Sequence, residues 1–288
     1  WFTRYQTETG DVTTMRQYII RSYYFSNDFA RAKQELMADL TAKQQAGKTP
    51  TIEELQLLAN TGSKSKDPAT YLVAMENLVR YYPSDDYWSD LLSRTQGKAG
   101  YSDRFALDVL RLQFKAVGTM PPQDYSDMAE IALQNAFPTE AKKVLDAGFA
   151  KGVLGTGANA AKHKRLRDQA NKGAADDAKS IASGEASAMK SKDGTGLINL
   201  GYAFVTMDQF DKGIDLIQKG IAKGGLKRPE DAKLRLGYSY AMAGKKDEAI
   251  KVLETVKGGD GVGDLARYWI LWLNRPATAT AAPAAAAQ

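Results

Sequence analysis

The sequence has no cysteine and a single histidine, His163. Without thiols there is no disulfide framework, no thiolate metal site and no cysteine nucleophile. Long hydrophobic runs are missing as well. The most apolar patch, Tyr268–Leu273, reads as the buried face of a final helix and falls far short of the ~18 residues a membrane span needs. No alternation of apolar and polar residues is long enough to propose a sheet. Nor does the chain contain a His-Glu-x-x-His, Gly-x-Ser-x-Gly or calcium-loop pattern. The sequence therefore assigns no catalytic residue, no metal ligand and no cofactor.

What is present is apolar material in quantity. A hydrophobic fraction of 43% supports a core and argues against disorder. Lysine and arginine exceed the acids by 39 to 34, a net charge of +5 that favours anionic partners only slightly. Seven small residues recur at separations of 35 to 37: Ala32, Ala69, Ala106, Ala141, Ala178, Gly213 and Ala249. Four positions after each lies Leu36, Val73, Leu110, Leu145, Ala182, Ile217 or Leu253, all apolar. A small residue with apolar residues at i+3 and i+4 is one packed stripe of a helix. Its recurrence points to stacked helical hairpins.

The other half of each unit is clearest near the C-terminus. Leu200-Gly201 and Leu236-Gly237 precede their markers by the same interval, and Phe204 and Tyr240 follow three residues after each glycine. These segments resemble the tetratricopeptide repeat: glycine at a close helix crossing, an aromatic one turn on, a short turn, then a small residue. The resemblance is strongest at 194–257 and weaker at 12–46 and 122–151. It implies an all-α, right-handed superhelical solenoid. Seven hairpins are expected near 12–46, 51–82, 84–117, 122–151, 158–190, 194–224 and 229–257, with a capping helix at 264–274. The Ala/Pro-rich 275–288 reads as a flexible tail. Asp67-Pro68 and Ser84-Asp85-Asp86 have the chemistry of helix starts, Pro138 and Pro229 fit first turns, and Asp176-Asp177 reads as a further start.

Two candidate sites follow. In the tetratricopeptide family, first helices line a concave groove, and Gln17, Arg21, Tyr24, Ile198, Tyr202, Leu234 and Tyr238 fall at those positions. They are candidates for a groove that holds a protein or peptide partner, or they pack against neighbouring repeats. The groove reading expects Tyr202→Ala with Tyr238→Ala to abolish capture and leave helicity intact. The family's clamp for a peptide carboxylate is not matched, since only Asn199 and Arg235 of its members are in place. The second site is Lys162, His163, Lys164, Arg165 and Arg167, within a basic stretch at 140–172. It reads as a solvated helix face or as a patch for an anionic partner. Gly152–Gly157 lacks the Gly-Lys-Ser/Thr ending of a phosphate loop and reads as a connection between hairpins.

The functional expectation is a non-catalytic scaffold that binds a protein or peptide. One alternative is a binder of an anionic polymer (polysaccharide, nucleic acid or membrane surface); another is a helical arm of a larger enzyme. The start at Trp1, the missing cysteine and the Ala/Pro tail suggest a bacterial periplasm or envelope location after removal of an upstream segment, with the cytoplasm as the alternative. Oligomeric state is left open.

Overall fold

The computed structural model describes residues 2–10 and 15–276; all regular structure among them is helical, with no strand among the described residues. The elements are α1 (Phe2–Thr9), α2 (Arg16–Phe25), α3 (Phe29–Gln45), α4 (Ile52–Lys64), α5 (Pro68–Tyr81), α6 (Asp85–Gln96), α7 (Ala106–Ala116), α8 (Pro122–Gln134), α9 (Pro138–Ala150), α10 (Ala160–Ser180), α11 (Gly184–Lys190), α12 (Thr195–Thr206), α13 (Phe210–Lys223), α14 (Pro229–Met242), α15 (Lys246–Leu253) and α16 (Val262–Leu273). Helices pack mainly on their neighbours in sequence order, as in an α-solenoid. The span expected for a capping helix, 264–274, is occupied by α16. The first part of the 12–46 hairpin and nearly all of the 275–288 tail lie outside the described residues.

Five hairpins share one turn. Between their helices a single residue takes a left-handed backbone conformation: Asn27, Lys66, Ala136, Asp208 and Gly244. The next residue then donates its N–H to the carbonyl five positions back. These bonds are Asp28 to Tyr23 (2.9 Å), Asp67 to Gly62 (2.8 Å), Phe137 to Ala132 (2.9 Å), Gln209 to Phe204 (3.0 Å) and Lys245 to Tyr240 (3.0 Å). This is a Schellman-type closure, which satisfies carbonyls the helix end leaves free.

The other two expected hairpins depart from the pattern. The chain divides into two compact units, one built on residues up to Lys98 and one on Ala99–Asn274. The expected 84–117 hairpin is thereby split, with α6 in the first unit and α7 in the second. Helix α7 packs on α8 and α16 instead. Its approach is fixed by Ser102, whose N–H donates to the Asp260 carbonyl at 2.9 Å. In the 158–190 region, α10 runs unbroken past Asp176 and Asp177, which therefore sit inside a helix and not at a start. No proline interrupts that span. Its one glycine, Gly173, lies so close to Pro138 that an added Cβ would be 2.7 Å from the ring.

The small-residue ladder is correspondingly partial. Ala32, Ala141, Gly213 and Ala249 are buried, whereas Ala69 and Ala178 are exposed and Ala106 is half-buried. In α5 the buried face runs through Thr70, Ala74 and Leu78, one residue out of phase with the ladder. Gly201 and Gly213 lie at a close helix crossing. A Cβ on Gly201 would lie 2.5 Å from the Gly213 carbonyl oxygen, and one on Gly213 would lie 2.5 Å from the Gly201 oxygen. Helices α12 and α13 touch backbone to backbone, and only glycine permits it.

Candidate functional site

Within the second unit the first and last helices meet, and the meeting buries the residues expected to line a groove. Tyr202 is 0% exposed and Tyr238 1%, and Ile198 and Leu234 are buried too. They are core, not groove anchors. The reason is a side chain that no repeat pattern anticipates. Arg111 of α7 enters the space between α9, α12 and α14, where it is buried with Glu140. Its Nε and Nη2 donate to the two carboxylate oxygens of Glu140, both at 2.7 Å. Nη1 donates to Asp108 at 2.8 Å and to the Tyr238 hydroxyl at 3.1 Å. The Tyr202 hydroxyl donates to Glu140 at 2.7 Å, and the guanidinium lies 4.4 Å from the Tyr202 ring centre.

Aromatic rings continue outward from this centre. Phe137 meets Tyr202 edge-on, Tyr202 meets Tyr238 edge-on, and Tyr238 stacks on Trp269. Burial works against the charge of Arg111, yet the Glu140 carboxylate outweighs it and holds the guanidinium's pKa well above its usual value. Burial pushes both tyrosine hydroxyls up. Near neutrality Arg111 stays charged and both tyrosines stay protonated.

A recess of about 180 Å³ opens beside the cluster. Phe114, Met128, Phe210, Met242 and Trp269 supply apolar wall, and the exposed Lys115 and Lys143 stand at its solvent edge. Lys143 pairs with Asp208 at 2.6 Å. Lys115 makes no side-chain ion pair among the described residues. Desolvation, and then the charge of Lys143, lower its pKa.

The remaining sequence candidates are scattered. In the first unit Gln17 is half-buried and donates to Glu54, Tyr24 packs edge-on against Phe25 and Phe29, and Arg21 is exposed. Asn199 and Arg235 bond each other at 2.7 Å. In the basic stretch His163 is buried, 4% exposed, so it belongs to neither a solvated face nor an anion patch. Its Nδ1 accepts the Gly155 N–H at 3.1 Å, which pins the Gly152–Gly157 connection to α10. Lys162 pairs with Glu130 at 2.8 Å and Arg167 with Asp146 at 2.8 Å. Only Lys164 and Arg165 of the five are exposed.

Sequence reasoning missed Arg111 and Glu140, because apart from Asp108 their partners lie 29 to 127 residues away and neither breaks a local pattern. It also missed the outer face of α2. Tyr18 is 54% exposed and Phe25 78%, and Tyr18, Arg21 and Phe25 occupy positions i, i+3 and i+7 of one helix face. Among the described residues there is no cluster of three His, Cys, Asp or Glu residues placed to hold a metal, and no helix long and apolar enough to cross a membrane. No protein-family model and no curated protein sequence matches this chain.

Proposed function

We propose that this protein is a non-catalytic scaffold of the tetratricopeptide type that binds a protein or peptide partner, and that the partner docks on the outer face of α2. The observation that carries the reading is the solvent-facing set Tyr18, Arg21 and Phe25. Aromatic and arginine side chains give large contact area at low entropy cost and dominate interface energetics. Single exposed apolar residues are ordinary on any surface; two aromatics flanking an arginine on one helix face have the composition of an interface centre. A bacterial envelope location belongs to the same proposal and rests on composition. The rival reading, an anionic polymer on the basic stretch, has less support because Lys142, Lys143, Lys162 and Arg167 are already paired.

The test is affinity capture with mass spectrometry, wild type against Tyr18→Ala/Phe25→Ala. Both residues are exposed, so the change in stability stays within about 0.5 kcal/mol per site and helicity by circular dichroism is unchanged. Loss of a specific partner from the variant supports the reading. Equal capture by the two proteins rejects it.

A further inference from the structure

We infer that the recess beside the Arg111–Glu140 cluster is a binding site for a small aromatic carboxylate. Three independent features converge there. The first is size: apolar cavities of about 150 Å³ accept a benzene ring, so a recess of about 180 Å³ has room for one ring and a short chain. The second is the wall chemistry. Phe114 and Phe210 offer ring surface and Met242 is a soft group that adjusts around an inserted ring, with the buried Trp269 and Met128 behind them.

The third is charge of one sign at the solvent edge. Lys115 and Lys143 both stand there, and Lys115 has no ion pair among the described residues. Desolvation, and then the like charge of Lys143, lower the Lys115 pKa. An anion at the edge of the recess relieves that repulsion. A carboxylate supplies acceptor oxygens with the matching charge. The acids already present do not fill the role. Glu140 is committed to Arg111 and Tyr202, and Asp208 to Lys143. The site lies within the second unit and is independent of the α2 surface proposed for a protein partner.

The experiment is a titration of the full chain with 3-phenylpropionate, 4-phenylbutyrate and octanoate, and with the amide of each, followed by the assigned Trp269 indole N–H in ¹H–¹⁵N spectra. At least one aryl carboxylate is expected to saturate and to move that resonance, with its amide roughly tenfold or more weaker. Lys115→Met/Lys143→Met is expected to weaken the carboxylate by a similar factor without lowering the thermal midpoint, both lysines being exposed. Three results overturn the inference: no saturation by either aryl acid, equal binding of acid and amide, or unchanged affinity in the double variant. Octanoate binding more tightly than both aryl acids also overturns the aromatic assignment.

Discussion

The two units hold their helices in different ways. In the first, α3, α4, α5 and α6 each start at a side chain that accepts a backbone N–H of its own first turn. Asp28 accepts from Arg31, Thr51 from Glu54, Asp67 from Thr70 and Ser84 from Tyr87, and Thr51 and Glu54 form a full capping box. In the second unit no N-cap residue from α7 to α16 does this among the described residues; only Asp193 and Asp260, one position before the N-cap, accept the first N–H of α12 and α16. Its order comes from distant residues. Arg104 bonds Asp231 at 2.9 Å and Asp260 at 2.6 Å, and Arg111 bonds Tyr238 across 127 positions. A cap contributes about 1 kcal/mol and can be lost alone. A buried charge pair stripped of one partner costs about 3–5 kcal/mol, because the survivor is left uncompensated. The first unit is therefore specified piece by piece, and the second by a few contacts on which many helices depend.

The largest effect expected from that contrast is at the tyrosines. Tyr202→Ala and Tyr238→Ala each empty a fully buried aromatic site, at about 3–5 kcal/mol apiece by analogy with other buried rings. The double variant is expected to lose cooperative unfolding of 99–274, with amide exchange accelerated there. Retention of wild-type helicity and melting temperature would return these residues to the role of exposed groove anchors. Next in size is the ion pair. Glu140→Ala strands Arg111 and should cost about 3–5 kcal/mol, whereas Arg111→Met/Glu140→Leu removes both charges and should cost clearly less than the sum of the single changes. Urea denaturation of the four proteins closes the cycle. Additive losses would mean that the cluster is not a unit.

These two regions also differ in how far they can be read from the chain. Asp67-Pro68 and Ser84-Asp85-Asp86 announce helix starts because capping is local chemistry, and the structure places caps at Asp67 and Ser84. The Leu-Gly pairs before Phe204 and Tyr240 likewise forecast the close crossing at Gly201, because a backbone contact demands glycine. The recurring left-handed turn was hidden. Four of its five residues are Asn27, Lys66, Ala136 and Asp208, and of these only asparagine and aspartate favour that conformation. The turn is imposed by hairpin packing more than by residue preference. Ala178 illustrates the opposite failure: it fits the period but lies on the exposed side of an uninterrupted α10. The Arg111 cluster was illegible for a third reason. A buried arginine looks like any surface arginine until the helices that enclose it are known, and its enclosure turned Tyr202 and Tyr238 from candidate anchors into core.

Smaller effects belong to the first unit. Thr51→Ala removes one half of the capping box of α4 and should cost about 1 kcal/mol, read as a shift in the urea midpoint with an unchanged slope. Amide exchange should quicken at the start of α4 and leave 99–274 untouched. A loss spread through both units would break the contrast between local and distant specification.

The smallest effect is at Asp67, and its pH dependence has a definite sign. Lys33 at 2.5 Å, followed by Thr70, lowers the Asp67 pKa from its ordinary 3.8 to about 2. A carboxylate whose pKa is depressed by folding contributes its stability above the unfolded-state value, and loses it as pH falls through the folded-state value. The contribution is thus whole above about pH 4 and fades towards about pH 2. Asp67→Asn keeps a competent cap, since asparagine ranks with aspartate at that position, but it cannot titrate. At neutral pH the variant should be less stable by under about 1 kcal/mol, because the Lys33 pair is partly exposed. That difference should shrink as pH falls from about 4 to about 2. A difference that stays constant over this window would mean that Asp67 acts through its cap alone. The first unit would then owe nothing at this helix start to a charge reaching it from the neighbouring hairpin, and its order would be more local still.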